Sequence, residues 1–214
     1  MPSKIKSWMR RNAVEVVIWG LLVLFLVLMV RPAFGAHRPI NHPIREAVAA
    51  TVHKFHDPVL GLSCSAVMVA PERAITAAHC LTMTAPVLTI DGYDYVVVEG
   101  YAAAPRDVAI LVVPGAPCPC ARVADVAAVE GDPVAVVGYP FGLTRVVTYG
   151  EFQGRVVLAE DGQEYLLITA LGAPGNSGGG VFDNNGDLIG ITSKGAQGIF
   201  LLAVELFTMP IVLQ

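Results

Sequence analysis

Two kinds of hydrophobic patterning divide the chain. Val16 to Val30 is fifteen consecutive uncharged residues, mostly Leu and Val, apolar on every face of any helix it forms. From about Ala47 onward the apolar positions come instead in short runs separated by turn residues, which is the pattern of strands. The predicted strands are 47–53, 63–69, 74–76, 87–90, 95–98, 108–112, 133–138, 145–149, 153–158, 164–169, 180–182, 188–193 and 199–203. Asp91-Gly92, Asp161-Gly162 and Asn185-Gly186 fall between them and are tight-turn signals. No repeat is present, and helical periodicity returns only over Val204–Val212. So many short strands in one small region predict an all-β fold, as a sandwich or as barrels.

The first 35 residues bear on location. Lys4, Lys6, Arg10 and Arg11 precede the apolar run, which as a helix is about 22 Å long, short of the roughly 30 Å hydrocarbon core. Starting at residue 13 and ending at Arg31 closes most of that gap, with Trp8 and Arg31 at the interfaces. The basic cluster predicts an inside N-terminus and a membrane-spanning signal-anchor over residues 13–31. The alternative is a cleaved signal peptide, since Ala33-Phe34-Gly35 before Ala36 has the small-x-small pattern of a cleavage site. On either reading residues 36–214 lie outside the cytoplasm. The expected organisation is segment 1–35, a Pro- and His-rich linker over 36–44, and a folded domain over 45–214.

Composition sharpens this. With 54% hydrophobic and 15% charged residues the chain is neither disordered nor fibrous. Five basic residues against Glu15 in 1–35 mean that the net charge of −4 conceals −8 on residues 36–214. A body that acidic repels phosphate, so no nucleic-acid partner is expected. Four cysteines are too few for a disulfide scaffold, although one or two bridges remain open in an oxidising compartment.

Three strings carry chemistry. Ile75-Thr-Ala-Ala-His79-Cys80 puts a histidine after an apolar strand. Arg106-Asp107-Val-Ala-Ile-Leu111 puts an acid at the head of another. Pro174-Gly-Asn-Ser177-Gly-Gly179 puts a serine in a glycine-rich turn. Alone they read as a structural histidine, a strand-end cap and a turn. Together they match a known requirement. A serine hydroxyl is a weak nucleophile until an imidazole takes its proton, and the imidazole needs a carboxylate to fix its tautomer. Glycines around the serine let the Gly175 and Ser177 amides converge where an oxyanion forms.

On these strings, residues 45–210 resemble the chymotrypsin-like (trypsin-fold) serine peptidases. Gly131-Asp-Pro-Val-Ala-Val-Val-Gly138-Tyr-Pro-Phe-Gly142-Leu, Val147-Thr-Tyr-Gly150, Ala173-Pro-Gly-Asn-Ser177 and Val181-Phe-Asp-Asn-Asn-Gly-Asp-Leu-Ile-Gly190-Ile look like the protease domain of the Deg (high-temperature-requirement) branch. With the sequence ending at Gln214, that branch's PDZ domain is not expected. The resemblance implies two six-stranded antiparallel β-barrels preceded by one hydrophobic helix. It implies that His79 is the general base, Asp107 its orienting acid and Ser177 the nucleophile, with Gly175 and Ser177 as oxyanion-hole amides. Asn176 stands where trypsin-type zymogens carry an activating Asp, so no N-terminal cut is expected to be needed. Leu171, six positions before the serine, would floor the specificity pocket, with Ser193, Lys194 and Gly195 on the opposite wall. Such a floor suits small or medium apolar residues, whereas a Lys194 turned inward would favour acidic ones.

The resemblance also pairs Cys64 with Cys80, the alternative being two buried free thiols. For Cys118 and Cys120 a labile bridge, an intermolecular link and free thiols all stay open. His37, His42, His53 and His56 lack ligand spacing, so no metal or other cofactor is expected. The implied activity is a membrane-tethered serine endopeptidase acting on protein or peptide substrates through an acyl-enzyme. The alternatives are a non-catalytic binding module on the same fold, or a virus- or phage-type processing protease with a self-derived site. Nothing in the sequence speaks to oligomeric state.

Overall fold

The structure is a computed structural model that describes residues 42–196 and 200–207. It contains a helix α1 (His42–Ala50) and thirteen strands. The first seven are β1 (Val52–Asp57), β2 (Leu62–Ala70), β3 (Arg73–Thr76), β4 (Val87–Ile90), β5 (Tyr93–Val96), β6 (Glu99–Ala102) and β7 (Ala109–Val112). The other six are β8 (Pro133–Gly138), β9 (Val146–Val157), β10 (Glu164–Ile168), β11 (Gly180–Phe182), β12 (Leu188–Ala196) and β13 (Phe200–Glu205). All strand pairs are antiparallel.

The two-barrel expectation holds with one adjustment. Strands β8 to β13 close into a six-stranded barrel in the order β10-β13-β12-β11-β8-β9. The first half is a seven-stranded curled sheet in the order β5-β4-β1-β2-β3-β7-β6, with β5 and β6 at its edges. The extra strand, β6, is exposed along its whole length. Its residues, Glu-Gly-Tyr-Ala, carry no apolar alternation, so only pairing with β7 makes it a strand.

Three other expectations change. Residues 42–50, read as linker and the start of a strand, are helical. Glu46-Ala-Val-Ala-Ala50 is rich in strong helix formers, and the Thr51 amide and hydroxyl both return to the Val48 carbonyl to end the turn. The two strands predicted over 145–158 are one, bent at Gly154, which has φ of +116° where the register with β10 shifts. Val204 and Glu205, predicted as the start of a helix, belong to β13, and the rest of that segment past Phe207 lies outside the described residues. So does the hydrophobic segment 13–31. Among the described residues no helix is long and apolar enough to cross a membrane.

The tight turns form as predicted. Asp91 and Gly92, with φ of +50° and +85°, make the two-residue link between β4 and β5. Two cysteine pairs are bridged, Cys64 to Cys80 and Cys118 to Cys120, so no free cysteine remains.

Burial follows the strand period. Ala66 and Met68 on β2 face the interior of the first sheet with Phe55, Leu88 and Leu111, while Val67 between them faces the other way. Val134 and Val136 on β8 fill the closed barrel with Phe152, Leu166 and Ile168, while Val137 faces out. The outward residues Val52, Val67, Ile75, Val137, Phe182, Leu188 and Ile191 form a third cluster that joins the two halves. Asp57 is fully buried at the end of β1. Its carboxylate accepts from the amides of Val59, Leu60, Thr84 and Ala85 and from the Thr84 hydroxyl. These donors, Ala85 foremost, hold it well below the usual carboxylate range and tie the 84–85 segment to β1.

His53 on β1 is 2% exposed, and its Nε2 has no hydrogen-bond partner. Burial, reinforced by Arg145 and opposed by Asp91, lowers its pKa to about 4. The unfolded chain takes up a proton near 6.5 while the folded one takes it up only near 4, so stability falls as pH drops through that window. The expected loss is about 3 kcal/mol between pH 7 and pH 4. His56, also lowered by burial, adds in the same direction. Denaturant unfolding at both pH values checks this, and His53→Gln is expected to flatten most of the difference.

Candidate active site

Pairing of β3 with β7 sets Thr76 opposite Ala109, so the residues just past those strand ends meet. After Thr76 the chain turns through a short 3₁₀ segment, Ala78–Thr82, which buries Cys80 and turns His79 outward. The His79 ring, at Nδ1, lies 2.8 Å from Asp107 Oδ2, and the His79 backbone N–H donates to Oδ1 at 2.9 Å. With Nδ1 engaged, Nε2 is left as the working nitrogen. The Ser193 hydroxyl also donates to Asp107 Oδ2. Burial of Asp107 opposes its charge, but the bonds from His79 and Ser193 prevail and hold its pKa at about 2.

Ser177 sits in the connection between β10 and β11, and its backbone explains the glycine-rich string. The Pro174 carbonyl accepts from the Phe141 amide, and the Asn176 carbonyl accepts from the Gly179 amide and the Thr192 hydroxyl. The Asn176 and Gly178 amides donate to Ala173 and Thr192 carbonyls. Between Pro174 and Gly178 two amides are left, those of Gly175 and Ser177, neither with a hydrogen-bond acceptor among the described residues. In a trans peptide the N–H points opposite to its own carbonyl. Pinning the Pro174 and Asn176 carbonyls therefore aims the Gly175 and Ser177 amides away from those contacts. Gly175 has φ of +96°, and a Cβ there would lie 2.5 Å from the Tyr139 carbonyl oxygen. At Gly178, φ +83°, a Cβ would lie 2.1 Å from the Ser65 carbonyl oxygen. Neither position admits another residue.

The first half of the molecule grips this loop. The Ser65 amide donates to the Ser177 carbonyl at 2.7 Å, and Cys80, beside His79, has its sulfur 3.9 Å from the same oxygen. The Ser177 hydroxyl makes its hydrogen bond to the Ser193 carbonyl, at 3.4 Å. Ser193, predicted as pocket wall, thus touches both Asp107 and Ser177.

A cavity of about 360 Å³ opens beside Ser177, walled by Gly172, Pro174, Thr192, Ser193 and Gly195. Leu171 is not its floor. The Leu171 side chain is 67% exposed, and its carbonyl accepts from the Thr148 hydroxyl. The apolar residue in the cavity is Leu201, set opposite Gly195 by the β12–β13 register and 4% exposed. No local signal marks Leu201, because only strand pairing brings it there. Lys194 turns outward, its ammonium bonded to Glu160 and Asp161 and lying 5.4 Å from the centre of the Tyr165 ring. Beyond Lys194 a shallower depression of about 540 Å³ runs past His79, Pro105, Gln163 and Tyr165. Among the described residues one group of metal-type donors is close-set, Cys64, His79 and Cys80, and both its sulfurs are engaged in the bridge.

The trypsin-like peptidase domain family matches residues 64–191. Over 91 residues the chain is 34% identical to a DegP-like periplasmic serine endoprotease of Pseudomonas putida (strain W619), covering 41% of this chain and 19% of that protein. A DegP-like counterpart from Brucella suis is 43% identical over 65 residues, 29% of this chain and 13% of that one. The chain thus spans less than a fifth of the length of the curated relatives it matches. Among solved structures, the Rv3671c protease from M. tuberculosis in its active form superposes with a TM-score of 0.70 at 24% identity, covering 78% of this chain and 80% of that one. The HtrA-type protease AlgW with a tripeptide gives 0.66 at 25% identity, covering 76% and 59%. By the match over residues 64–191 the chain belongs to the trypsin-like peptidase family, and within it resembles the DegP- and HtrA-type proteases.

Proposed function

We propose that the chain is a serine endopeptidase in which Ser177 is the nucleophile, His79 the general base and Asp107 its orienting carboxylate. The observation that carries this is the bonded series from Ser193 through Asp107 to His79, set beside Ser177 and two unoccupied amides. The Ser177 hydroxyl leaves its long bond to the Ser193 carbonyl and attacks the substrate carbonyl while His79 Nε2 takes its proton. The oxyanion is stabilised by the Gly175 and Ser177 amides. Collapse returns the proton to the leaving amine and leaves an acyl-enzyme, which water hydrolyses by the reverse proton path. Asp107, ionised at any pH where the protein works, favours the imidazolium that forms in each half.

The cavity supports cleavage after small or medium apolar residues. Its apolar end is Leu201 instead of Leu171, and Lys194, which also lines it, is neutralised by Glu160 and Asp161. Two disulfides suit an oxidising compartment, as does the periplasmic setting of the DegP-like relatives. With the apolar stretch 13–31, the reading is a domain outside the cytoplasm, tethered or released. Mass spectrometry of the mature chain decides which, a new N-terminus at Ala36 meaning release.

A fluorophosphonate probe is expected to label the wild-type chain and not Ser177→Ala, and labelling of both or neither refutes the reading. Peptide hydrolysis is expected to fall about 10⁴- to 10⁶-fold in Ser177→Ala and His79→Ala, and about 10⁴-fold in Asp107→Asn, whose amide holds the wrong imidazole tautomer. In a peptide-library cleavage profile, Ala, Val or Leu before the cut bond is expected to exceed Arg or Lys by about 10²-fold, because a buried cation there has no partner.

A further inference from the structure

We infer that Ser65 is a positioning residue for the oxyanion hole, an inference that rests on the assignment of Ser177 as nucleophile. Ser65 lies on β2, in the opposite half of the molecule from Ser177, and is fully buried. Every polar atom it has is engaged. Its hydroxyl donates to the Gly175 carbonyl at 2.8 Å and accepts from the Tyr139 amide at 2.9 Å. Its amide donates to the Ser177 carbonyl at 2.7 Å, and its carbonyl accepts from the Thr76 hydroxyl at 2.7 Å. A hydroxyl has one proton to give, and here it goes to Gly175 while the lone pair takes Tyr139. Ser65 thus fixes the carbonyls on both sides of Asn176, and the Asn176–Ser177 peptide, whose N–H is one of the two free amides, is held between them.

The second free amide depends on the same hydroxyl. Gly175 packs directly against the Tyr139–Gly142 turn, too close for any side chain, and the Phe141 amide of that turn holds the Pro174 carbonyl. The Ser65 hydroxyl bridges this turn and the Gly175 loop, so the spacing of the two donors is set from β2. Without the hydroxyl, the Gly175 carbonyl loses its donor, and the Gly175–Asn176 peptide, in a glycine-rich segment, keeps only the bond from its Asn176 amide to the Ala173 carbonyl. The amides then diverge, with little change to the walls of the cavity beside Ser177. An oxyanion develops only in the transition state, so the cost falls on kcat and not on substrate binding.

The test compares wild type, Ser65→Ala, Ser65→Thr and Ser177→Ala in the full chain. Readouts are kcat, KM, inhibition by a peptide boronic acid whose bound adduct places an oxygen at the amides, and thermal unfolding. In Ser65→Ala, kcat is expected to fall 10- to 100-fold with KM within about twofold. The boronate constant should weaken by a similar factor and the affinity of an uncleaved product peptide should not change. Ser65→Thr, which keeps the hydroxyl, should recover most of kcat. Should the alanine variant not fold, Ser65→Cys, close in volume but a poor hydrogen-bonding group, is read by the same split after the Cys64–Cys80 bridge is verified. A folded hydroxyl-free variant with wild-type kcat overturns the inference, and so does a loss confined to KM. Equal loss of kcat in the alanine and threonine variants also overturns it. A wild-type chain with no activity sensitive to Ser177→Ala brings down the nucleophile assignment first and this inference with it.

Discussion

Burial of the seam strands on both faces is the constraint on which the rest depends. Strands β2, β3 and β8 cannot satisfy their apolar positions against one sheet, because alternate residues point opposite ways. Ala66, Met68 and Ala74 fill the first sheet, Val134 and Val136 fill the closed barrel, and Val67, Ile75 and Val137 must be covered by the other half. The two halves therefore close on each other through an apolar layer. That contact brings the His79 turn and Asp107, which belong to the first sheet, to the Ser177 loop of the second.

At the edge of this layer, apolar packing gives way to hydrogen bonding across the same seam. Burying the 173–179 loop against β2 would strand its carbonyls away from water, which is costly unless each finds a donor. Those of Pro174 to Ser177 find them in Phe141, Ser65, Gly179 and Thr192. The two amides without acceptors stand out because the carbonyls of Pro174, Gly175, Asn176 and Ser177 and the amides of Asn176 and Gly178 are all engaged. Asp107 is a parallel case, a carboxylate whose burial is compensated by three donors, which leaves it charged and its histidine oriented.

Charge outside the seam is arranged locally. Lys194 stands between the two depressions, and its ion pairs with Glu160 and Asp161 draw the ammonium outward. An exposed pair of this kind contributes little stability. Its effect is on the surface that a peptide meets, since it removes a free cation from the mouth of the apolar cavity.

The residues of the proposed triad were legible in the sequence because each sits in a local string whose turn chemistry is self-contained. Gly175 and Gly178 adopt backbone angles only glycine takes easily, and His79 follows and Asp107 precedes a strand long enough to recognise. Most strands and all three tight turns were readable for the same reason, from period and turn residues. Where neighbours overrode local preference the reading failed. Residues 47–50 look like strand yet are helical, and β6 exists only through its pairing with β7. The pocket was the clearest case. Counting back from Ser177 to Leu171 assumed that a sequence offset fixes a place in space, but Leu171 faces solvent. Leu201 occupies the cavity because β12 and β13 pair in a register that sets it opposite Gly195. Ser65 likewise carries no motif of its own here. Strand periodicity and turn chemistry are properties of a few adjacent residues, so the sequence alone determined them. Which side chains meet across the seam depends on register and on the packing of two sheets, and only the tertiary structure decided that.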